Sequence, residues 1–275
     1  MAFGEMRCLR PIPNLDRSSV LRRLRTKQLG RRLEILDECT STNDVAAERA
    51  NTGAPHGYTV LSEVQTSGRG REGRTWFSPK GGIWLTALLR PPFTLDPLNA
   101  LPVIAAVAAA KTINSSLGVR ARVRWPNDIF VDGRKLAGVL AEAKFKGNEL
   151  EYALLGLGVN ANFHSTTLGE LSSKVTSLED LLGSPVDREE IIALLLLEIE
   201  NLYDLASSNP NGAKVLLEEL DCSNGRQVRI RLQGEEISGI MAGYESFTTV
   251  RIRTVEGPNR HVETSSVVSV EYLDF

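Results

Sequence analysis

Residues 68–79, GRGREGRTWFSP, place three arginines among three glycines and constrain this chain more than any other segment. Glycine lets the backbone approach a ligand closely, and arginine offers paired donors to a carboxylate or phosphate. Dinucleotide-binding folds share the G-x-G-x-x-G spacing, but they need a helix to begin here. Pro79, Gly81 and Gly82 exclude that helix, and residues 83–89 are typical of a strand. The segment predicts an anion-binding loop; a solvated basic loop is the alternative.

A strand and a hairpin are predicted between residues 119 and 140. Residues 119–125 alternate apolar side chains with arginines, which is the period of a strand with one buried face. Asp132-Gly133 has the composition of a tight two-residue turn. Lys135 follows that turn by two residues, so its long cationic side chain can reach a neighbouring site.

Residues 154–160, LLGLGVN, are predicted to form an apolar strand. Gly156 and Gly158 are two residues apart and therefore lie on the same face of that strand. Because neither has a side chain, another group can pack against bare backbone at both positions.

Three segments together resemble the biotin protein ligase family: GRGREGRTWFSP, RWPNDIFVDGRKLAGVLAE and GLGVNAN, in that order. The triplet Ser41-Thr42-Asn43 and Gln65 fit the same pattern, and the resemblance extends over residues 33–275. It implies ATP-dependent activation of biotin to biotinyl-5′-AMP. Biotin then passes to one lysine of a biotin carboxyl carrier protein domain of a biotin-dependent carboxylase. The residues alone indicate only an anion-binding α+β enzyme.

The implied fold is α+β, with a mixed central sheet flanked by helices. This biotinyl/lipoyl ligase catalytic fold is related to class II aminoacyl-tRNA synthetases and carries a small C-terminal SH3-like β-barrel. We expect a basic N-terminal lead-in over residues 1–32, a catalytic domain over 33–208 and the SH3-like domain over 225–275. The segment before residue 33 is too short for the winged helix-turn-helix of many bacterial relatives, which predicts the form without a DNA-binding domain.

The resemblance also implies roles for individual residues. Lys135 and Arg71 are the implied catalytic residues, and Asp128 is the implied ligand of Mg²⁺, a cation that prefers oxygen donors. The implied biotin-binding residues are Ser41, Thr42, Asn43, Gln65, Gly68, Arg69, Gly70, Arg71 and Lys135. The implied ATP-binding residues are Arg69, Arg71, Arg74, Trp76, Asn127, Asp128, Lys135, Val159 and Asn160.

Structural roles are the alternatives for several of these residues. Ser41 or Thr42 can cap a short helix that ends at Gly53. Asn127-Asp128 can form an ordinary turn, and an isolated tryptophan is commonly a core residue. Arg124 departs from the family pattern, which more often has lysine before Trp-Pro-Asn-Asp.

Composition fits a large globular enzyme: of 275 residues, 42% are hydrophobic and 24% charged. A net charge of −2 predicts no general attraction to DNA or to an anionic membrane. The three cysteines are too scattered for a disulfide framework, which favours a cytoplasmic location. A homodimer is compatible with the resemblance.

Two other functions stay open: a lipoate or octanoate ligase, and a nucleic-acid-binding, biotin-responsive regulator that uses the basic N-terminus.

Overall fold

The computed structural model describes residues 12–254 and 257–273, so residues 1–11 of the predicted lead-in lie outside the described part. Its helices are α1 (Arg17–Arg23), α2 (Thr42–Asn51), α3 (Pro97–Leu117), α4 (Leu178–Leu182), α5 (Arg188–Ser208) and α6 (Pro210–Leu220). Its first seven strands are β1 (Leu33–Cys39), β2 (Thr59–Gln65), β3 (Ile83–Leu89), β4 (Arg122–Arg124), β5 (Asp128–Val131), β6 (Arg134–Lys146) and β7 (Glu149–Val159). The last five are β8 (Gln227–Leu232), β9 (Glu236–Tyr244), β10 (Thr249–Thr254), β11 (Arg260–Glu263) and β12 (Val267–Tyr272).

Strands β1 to β7 form one mixed sheet in the order β1-β2-β3-β7-β6-β5-β4. Strands β1 and β2 are parallel, and every other neighbouring pair is antiparallel. This arrangement confirms the predicted mixed central sheet. It places the glycine-containing strand β7 at the centre, between β3 and β6.

The two faces of the sheet are covered by different helices. Helix α3 packs on β6 and β7 and is itself covered by α5, whereas α2 packs on β2, β3 and β7. The Asp96 side chain caps α3, and Gly118, with φ of 67°, ends it in the left-handed conformation. Among the described residues, α3 alone is long and apolar enough to cross a membrane, and most of that stretch is buried inside the protein.

The predicted turn between β5 and β6 is confirmed. Asp132 and Gly133 have φ angles of 48° and 75°, and two consecutive positive values define the type I′ turn that suits the twist of a hairpin. The turn sets the register Val131↔Arg134 and Phe130↔Lys135. Lys135 is therefore held at the start of β6, near Asp128 on β5.

The basic N-terminal segment belongs to the main core. Leu15, Val20, Leu24 and Leu29 are each at most 8% exposed, and α1 packs against α5. A buried ion pair secures the same region, in which Arg188 contacts Glu63 at 2.9 Å and also donates to the Pro13 carbonyl at 2.7 Å. The described part of the predicted lead-in thus contains helix α1 and is an integral layer of the fold.

Strands β8 to β12 form a five-stranded antiparallel sheet in the order β11-β10-β9-β8-β12, which agrees with the expected SH3-like domain. A 3₁₀ turn at Thr264–Ser266 separates β11 from β12. The second of these strands, β12, pairs with β8 and lies beside residues 71–73. The C-terminal sheet thus reaches the predicted anion-binding loop.

Candidate active site

A cavity of about 670 Å³ lies between the start of α2, residues 68–79 and β12. Residues 68–79, the predicted anion-binding loop, are called the arginine-glycine loop below. It brings together most of the side chains that the sequence singled out. Those lining it are Ser41, Thr42, Asn43, Gln65, Arg69, Gly70, Arg71, Arg74, Trp76, Asn127, Asp128, Lys135 and Asn160.

The two glycines of β7 receive two different side chains. A β carbon at Gly156 would stand 2.5 Å from Asn43 Oδ1, and one at Gly158 would stand 2.6 Å from Trp76 Nε1. Both separations are too short for any larger residue. Since residues two apart on a strand are separated by about 7 Å, the cavity has an amide end at Gly156 and an indole end at Gly158.

Polar side chains at the amide end form a connected chain. The Thr42 hydroxyl lies 2.8 Å from the Thr86 hydroxyl and 3.1 Å from Gln65 Oε1. Asn43 Oδ1 lies 2.5 Å from the Thr86 hydroxyl, and Gln65 Nε2 donates to Ser78 at 2.8 Å. These groups present both donors and acceptors to a ligand.

Helix capping does not explain the serine and threonine at the start of α2. Ser41 occupies the N-cap position with an extended backbone, but its side chain makes no capping hydrogen bond. Thr42 is already inside the helix, and its hydroxyl faces Thr86 and Gln65. Both residues line the cavity, so their polar groups are available to the site.

The arginine-glycine loop folds back on itself as a short hairpin-like excursion. The Gly70 amide donates to the Arg74 carbonyl at 2.7 Å, and the Trp76 amide donates to the Gly68 carbonyl at 2.8 Å. As predicted, no α-helix begins here; residues Arg71–Gly73 form a single 3₁₀ turn with Glu72 at φ 58°. The loop therefore places its arginines over the cavity with its backbone already hydrogen-bonded.

The three arginines of the loop have distinct partners. Arg69 forms ion pairs with Asp44 of α2 and, at 3.2 Å, with Glu142 of β6. Arg71 donates to Asn127 Oδ1 at 3.3 Å and to the backbone carbonyls of Val267 and Val268. Burial lowers the pKa of Arg71, which is the expected effect of low polarity on a cation.

Arg74 is more exposed to solvent than Arg69 or Arg71. Its side chain is 68% exposed and contacts Glu72 at 3.1 Å. Arg74 also lines the cavity.

Lys135 occupies the indole end of the cavity. Its Nζ lies 2.7 Å from Asp128 Oδ1 and 5.1 Å from the centre of the Trp76 ring. The absence of a side chain at Gly138 lets Trp76 and Asp128 lie close to the backbone there. A β carbon at Gly138 would stand 3.0 Å from the indole and 3.3 Å from Asp128 Oδ1. A cation, a carboxylate and an aromatic face thus meet at one point.

Two predicted residues do not face the cavity. Val159 is fully buried in the main core, because it points to the opposite face of β7 from Gly158. The prediction that Val159 contributes to ATP binding stays a prediction, and any such contribution would come from its backbone. Gly68 packs inside the loop instead, where a β carbon would stand 2.4 Å from the Trp76 carbonyl and 2.7 Å from Ser78 Oγ. Its role is to let the loop close tightly.

Several lining residues were not predicted from the sequence. Strand β12 contributes Val268, Ser269, Val270 and Tyr272, and the segment before α4 contributes Leu168, Leu171, Ser173, Lys174 and Val175. Arg124 also lines the cavity, with its guanidinium 3.5 Å from the centre of the Phe130 ring and 4.9 Å from that of Tyr272. Burial lowers the pKa of Arg124. The alternation of residues 119–125 predicts a strand, and Arg124 is the last arginine of that strand. This signal could have indicated that Arg124 lies at the site.

Comparisons with known proteins agree with this fold. The model of the biotin/lipoate A/B protein ligase family matches residues 36–160. The bifunctional ligase/repressor BirA of Bacillus spizizenii is 33% identical over 88% of this chain and 76% of its own length. The biotin–[acetyl-CoA-carboxylase] ligase of Mycobacterium tuberculosis is 31% identical over 83% of this chain and 86% of its own.

The same architecture occurs in a solved structure, the biotin protein ligase from Aquifex aeolicus in complex with biotin and ATP. It superposes with a TM-score of 0.76 at 24% identity, covering 88% of this chain and 99% of that one. Fold and relatives thus define a ligase of the biotin and lipoate class. The chain belongs to the biotin/lipoate A/B protein ligase family and, by its relatives, to the biotin protein ligases within it.

Proposed function

We propose that this enzyme activates biotin with ATP and transfers it to a lysine of a biotin carboxyl carrier protein. The observation that carries the proposal is the position of Lys135. It lies beside the indole end of the cavity, and a polar chain that suits a ureido ring lies at the amide end. A biotin carboxylate and an ATP α-phosphate are both anionic, so a fixed cation is required where they meet.

In the first step, a carboxylate oxygen of biotin attacks the α-phosphorus of ATP. The bond to the bridging oxygen breaks, and pyrophosphate leaves with that electron pair. Lys135 and the loop arginines offset the negative charge that gathers on the oxygens. Trp76 and Asn160 line the end of the cavity that would hold the adenine.

In the second step, the neutral amine of a carrier lysine attacks the biotinyl carbonyl carbon. The amide bond forms, the bond to the AMP oxygen breaks, and the amine loses a proton. The mixed anhydride must be protected from water until then, which is a role suited to the arginine-glycine loop above the cavity. The carrier is the macromolecular partner of this proposal.

The residues present fit a magnesium ion. Asp128 lines the cavity with its Oδ1 buried 2.7 Å from Lys135 Nζ, and the cations of Arg71 and Arg124 also act on this carboxylate. Among the described residues no three acidic, histidine or cysteine side chains converge, so the ion would share Asp128 with the phosphates of ATP, a common arrangement for Mg²⁺. When bound, it would neutralise phosphate charge.

Pyrophosphate release with biotin and ATP is the direct test of this function. Thermal shifts with biotin and with lipoate separate the biotin ligase from the lipoate alternative, since only the true substrate should raise the melting temperature. Stabilisation by lipoate and not biotin would contradict the proposal. We further propose a cytoplasmic location and no DNA target. Analytical sedimentation would measure whether the protein is a monomer or a homodimer.

A further inference from the structure

The tip of the arginine-glycine loop rests on the C-terminal sheet. Arg71 donates to the carbonyls of Val267 and Val268 on β12, and Glu72 forms an ion pair with Arg231 on β8. We propose that Arg231 is a positioning residue: through Glu72 it holds the loop closed over the cavity, and so sets how long the enzyme retains its biotinyl-adenylate. This inference rests on the proposed function and deepens it.

A β-bulge in the C-terminal sheet lies where the loop makes contact. The β8 partners of Val267 and Ser269 are consecutive residues, the second of them Arg231, so Val268 is an extra residue with no partner on β8. A bulge of this kind interrupts the ladder of hydrogen bonds between two strands. The two carbonyls that accept from Arg71 belong to this interruption. The arginine contact and the ion pair of Arg231 therefore arise at one place on the sheet.

The other end of β12 is attached to the catalytic part of the chain. The Tyr272 hydroxyl donates to the Trp125 carbonyl at 2.8 Å and lies 2.8 Å from Ser223 Oγ. The Arg124 guanidinium lies 4.9 Å from the centre of the same tyrosine ring. Because β12 is held there, a contact between the sheet and the loop tip restrains the loop relative to the cavity.

Glu72 connects the loop to this support by charge. Its carboxylate contacts Arg74 at 3.1 Å and also Arg231, and its charge acts on Arg71. Of these three cations only Arg231 belongs to another part of the chain. The Glu72 side chain is 18% exposed, so water and salt screen the attraction less than they would at an open surface. Losing Arg231 should therefore weaken the attachment of the loop and leave the loop's own charges in place.

Arg229 offers a matched control on the same strand. It is two residues from Arg231 and therefore lies on the same face of β8. Its partners, Glu236 and Glu271, belong to the C-terminal sheet itself. Replacing either arginine with glutamine removes one partly exposed positive charge, but only Arg231→Gln removes a contact with the loop.

Trypsin cleavage after Arg74 measures loop opening without any ligand. Arg74 is 68% exposed, but its carbonyl accepts from the Gly70 amide at 2.7 Å, and this hydrogen bond must open before a protease can bind the segment. Arg231→Gln should speed the cleavage about threefold, the scale of one partly exposed ion pair, when the loop recloses faster than it is cut. Arg229→Gln should be cut at the parent rate. Unchanged cleavage of Arg231→Gln, or equal acceleration of both variants, would overturn the inference.

Release of the adenylate is the second measurement. The complete protein is incubated with radiolabelled biotin and ATP and desalted, and the loss of protein-bound label is followed by filter binding. Arg231→Gln should release the label about threefold faster than the parent, and Arg229→Gln at the parent rate. Glu72→Gln should also release it faster, and adding Arg231→Gln to that variant should have no further effect, because both changes remove the same contact. Effects that multiply would mean that Arg231 acts by another route.

The two measurements separate this inference from the proposed function. If the parent formed no biotinyl-adenylate, the proposed function would fall and the retention role with it, whatever trypsin reported about the loop. If the parent retained the adenylate and Arg231→Gln retained it equally well, only this inference would fall. Melting temperatures near that of the parent would show that each variant is folded.

Discussion

The indole of Trp76 lies directly against the bare backbone of Gly158, where a β carbon would stand 2.6 Å from Nε1. Gly158→Ala should therefore displace the indole and raise the KM for ATP by about tenfold or more, because overpacking of this kind costs about 1–3 kcal/mol. The KM for biotin should change much less. Steady-state kinetics with each substrate varied in turn give both values.

Gly156→Ala is the complementary variant on the same face of β7. Its β carbon would stand 2.5 Å from Asn43 Oδ1, so the expected damage falls on the KM for biotin instead. The two variants control for each other, since both add one methyl group to one strand. If each variant raised the KM for biotin and the KM for ATP by the same factor, the division of the cavity into two ends would be contradicted.

Arg71→Gly should produce an enzyme that makes the adenylate but releases it. Arg71 ties the loop to Asn127 and to the Val267 and Val268 carbonyls, and glycine removes these contacts while loosening the backbone. Escaped biotinyl-adenylate would acylate exposed lysines of an unrelated protein such as an albumin. Labelling is read by blotting for biotin, alongside pyrophosphate release.

Lys80→Gly is the control for that experiment, because it removes an exposed cation just beyond the loop. It should label the bystander no more than the parent does. If Arg71→Gly still releases pyrophosphate and labels no more than the parent, the loop does not retain the intermediate through Arg71.

Leu24→Ala should destabilise the enzyme by about 2–5 kcal/mol, the usual cost of truncating a buried leucine. Leu24 is 2% exposed, in the basic segment that the sequence alone suggested was a separable lead-in. Arg22→Ala on the exposed surface of α1 should change stability by about 0.5 kcal/mol or less. Denaturant unfolding measures the free energy of unfolding of both variants. Equal small losses in the two would mean that the segment contributes little to stability.

The local features of this protein were predictable because their causes are local. The Asp132-Gly133 turn, the end of α3 at Gly118 and the recesses at Gly156 and Gly158 follow from backbone conformation and residue size. Contributions from distant parts of the chain were not predictable. The approach of Tyr272 to Arg124 and the contact of Glu142 with Asn43 depend on tertiary packing, which no spacing in the sequence reports.

Two features of the structure could not be read from motifs or charge counts, and both have the same physical origin. Val159 was grouped with its neighbours by motif, but a strand alternates its side chains between two faces, and the face of Gly158 excludes Val159. The basic N-terminal residues suggested a surface available to nucleic acid, yet Arg23 pairs with Asp187 at 2.8 Å and Arg17 donates to the Leu33 carbonyl. Charge counted along a sequence does not show which charges are already paired.

The most direct test of the account is pyrophosphate release by Lys135→Ala, with Lys144→Ala as its control. Lys144 lies on the same strand but outside the cavity, where it contacts Asn51 and Glu151. Removing the fixed cation at the meeting point of two anions should slow adenylate formation about 100- to 1,000-fold, while Lys144→Ala stays near the parent rate. Both variants should melt near the parent temperature. Near-normal pyrophosphate release by folded Lys135→Ala would contradict the central claim that Lys135 brings the biotin carboxylate and the α-phosphate together.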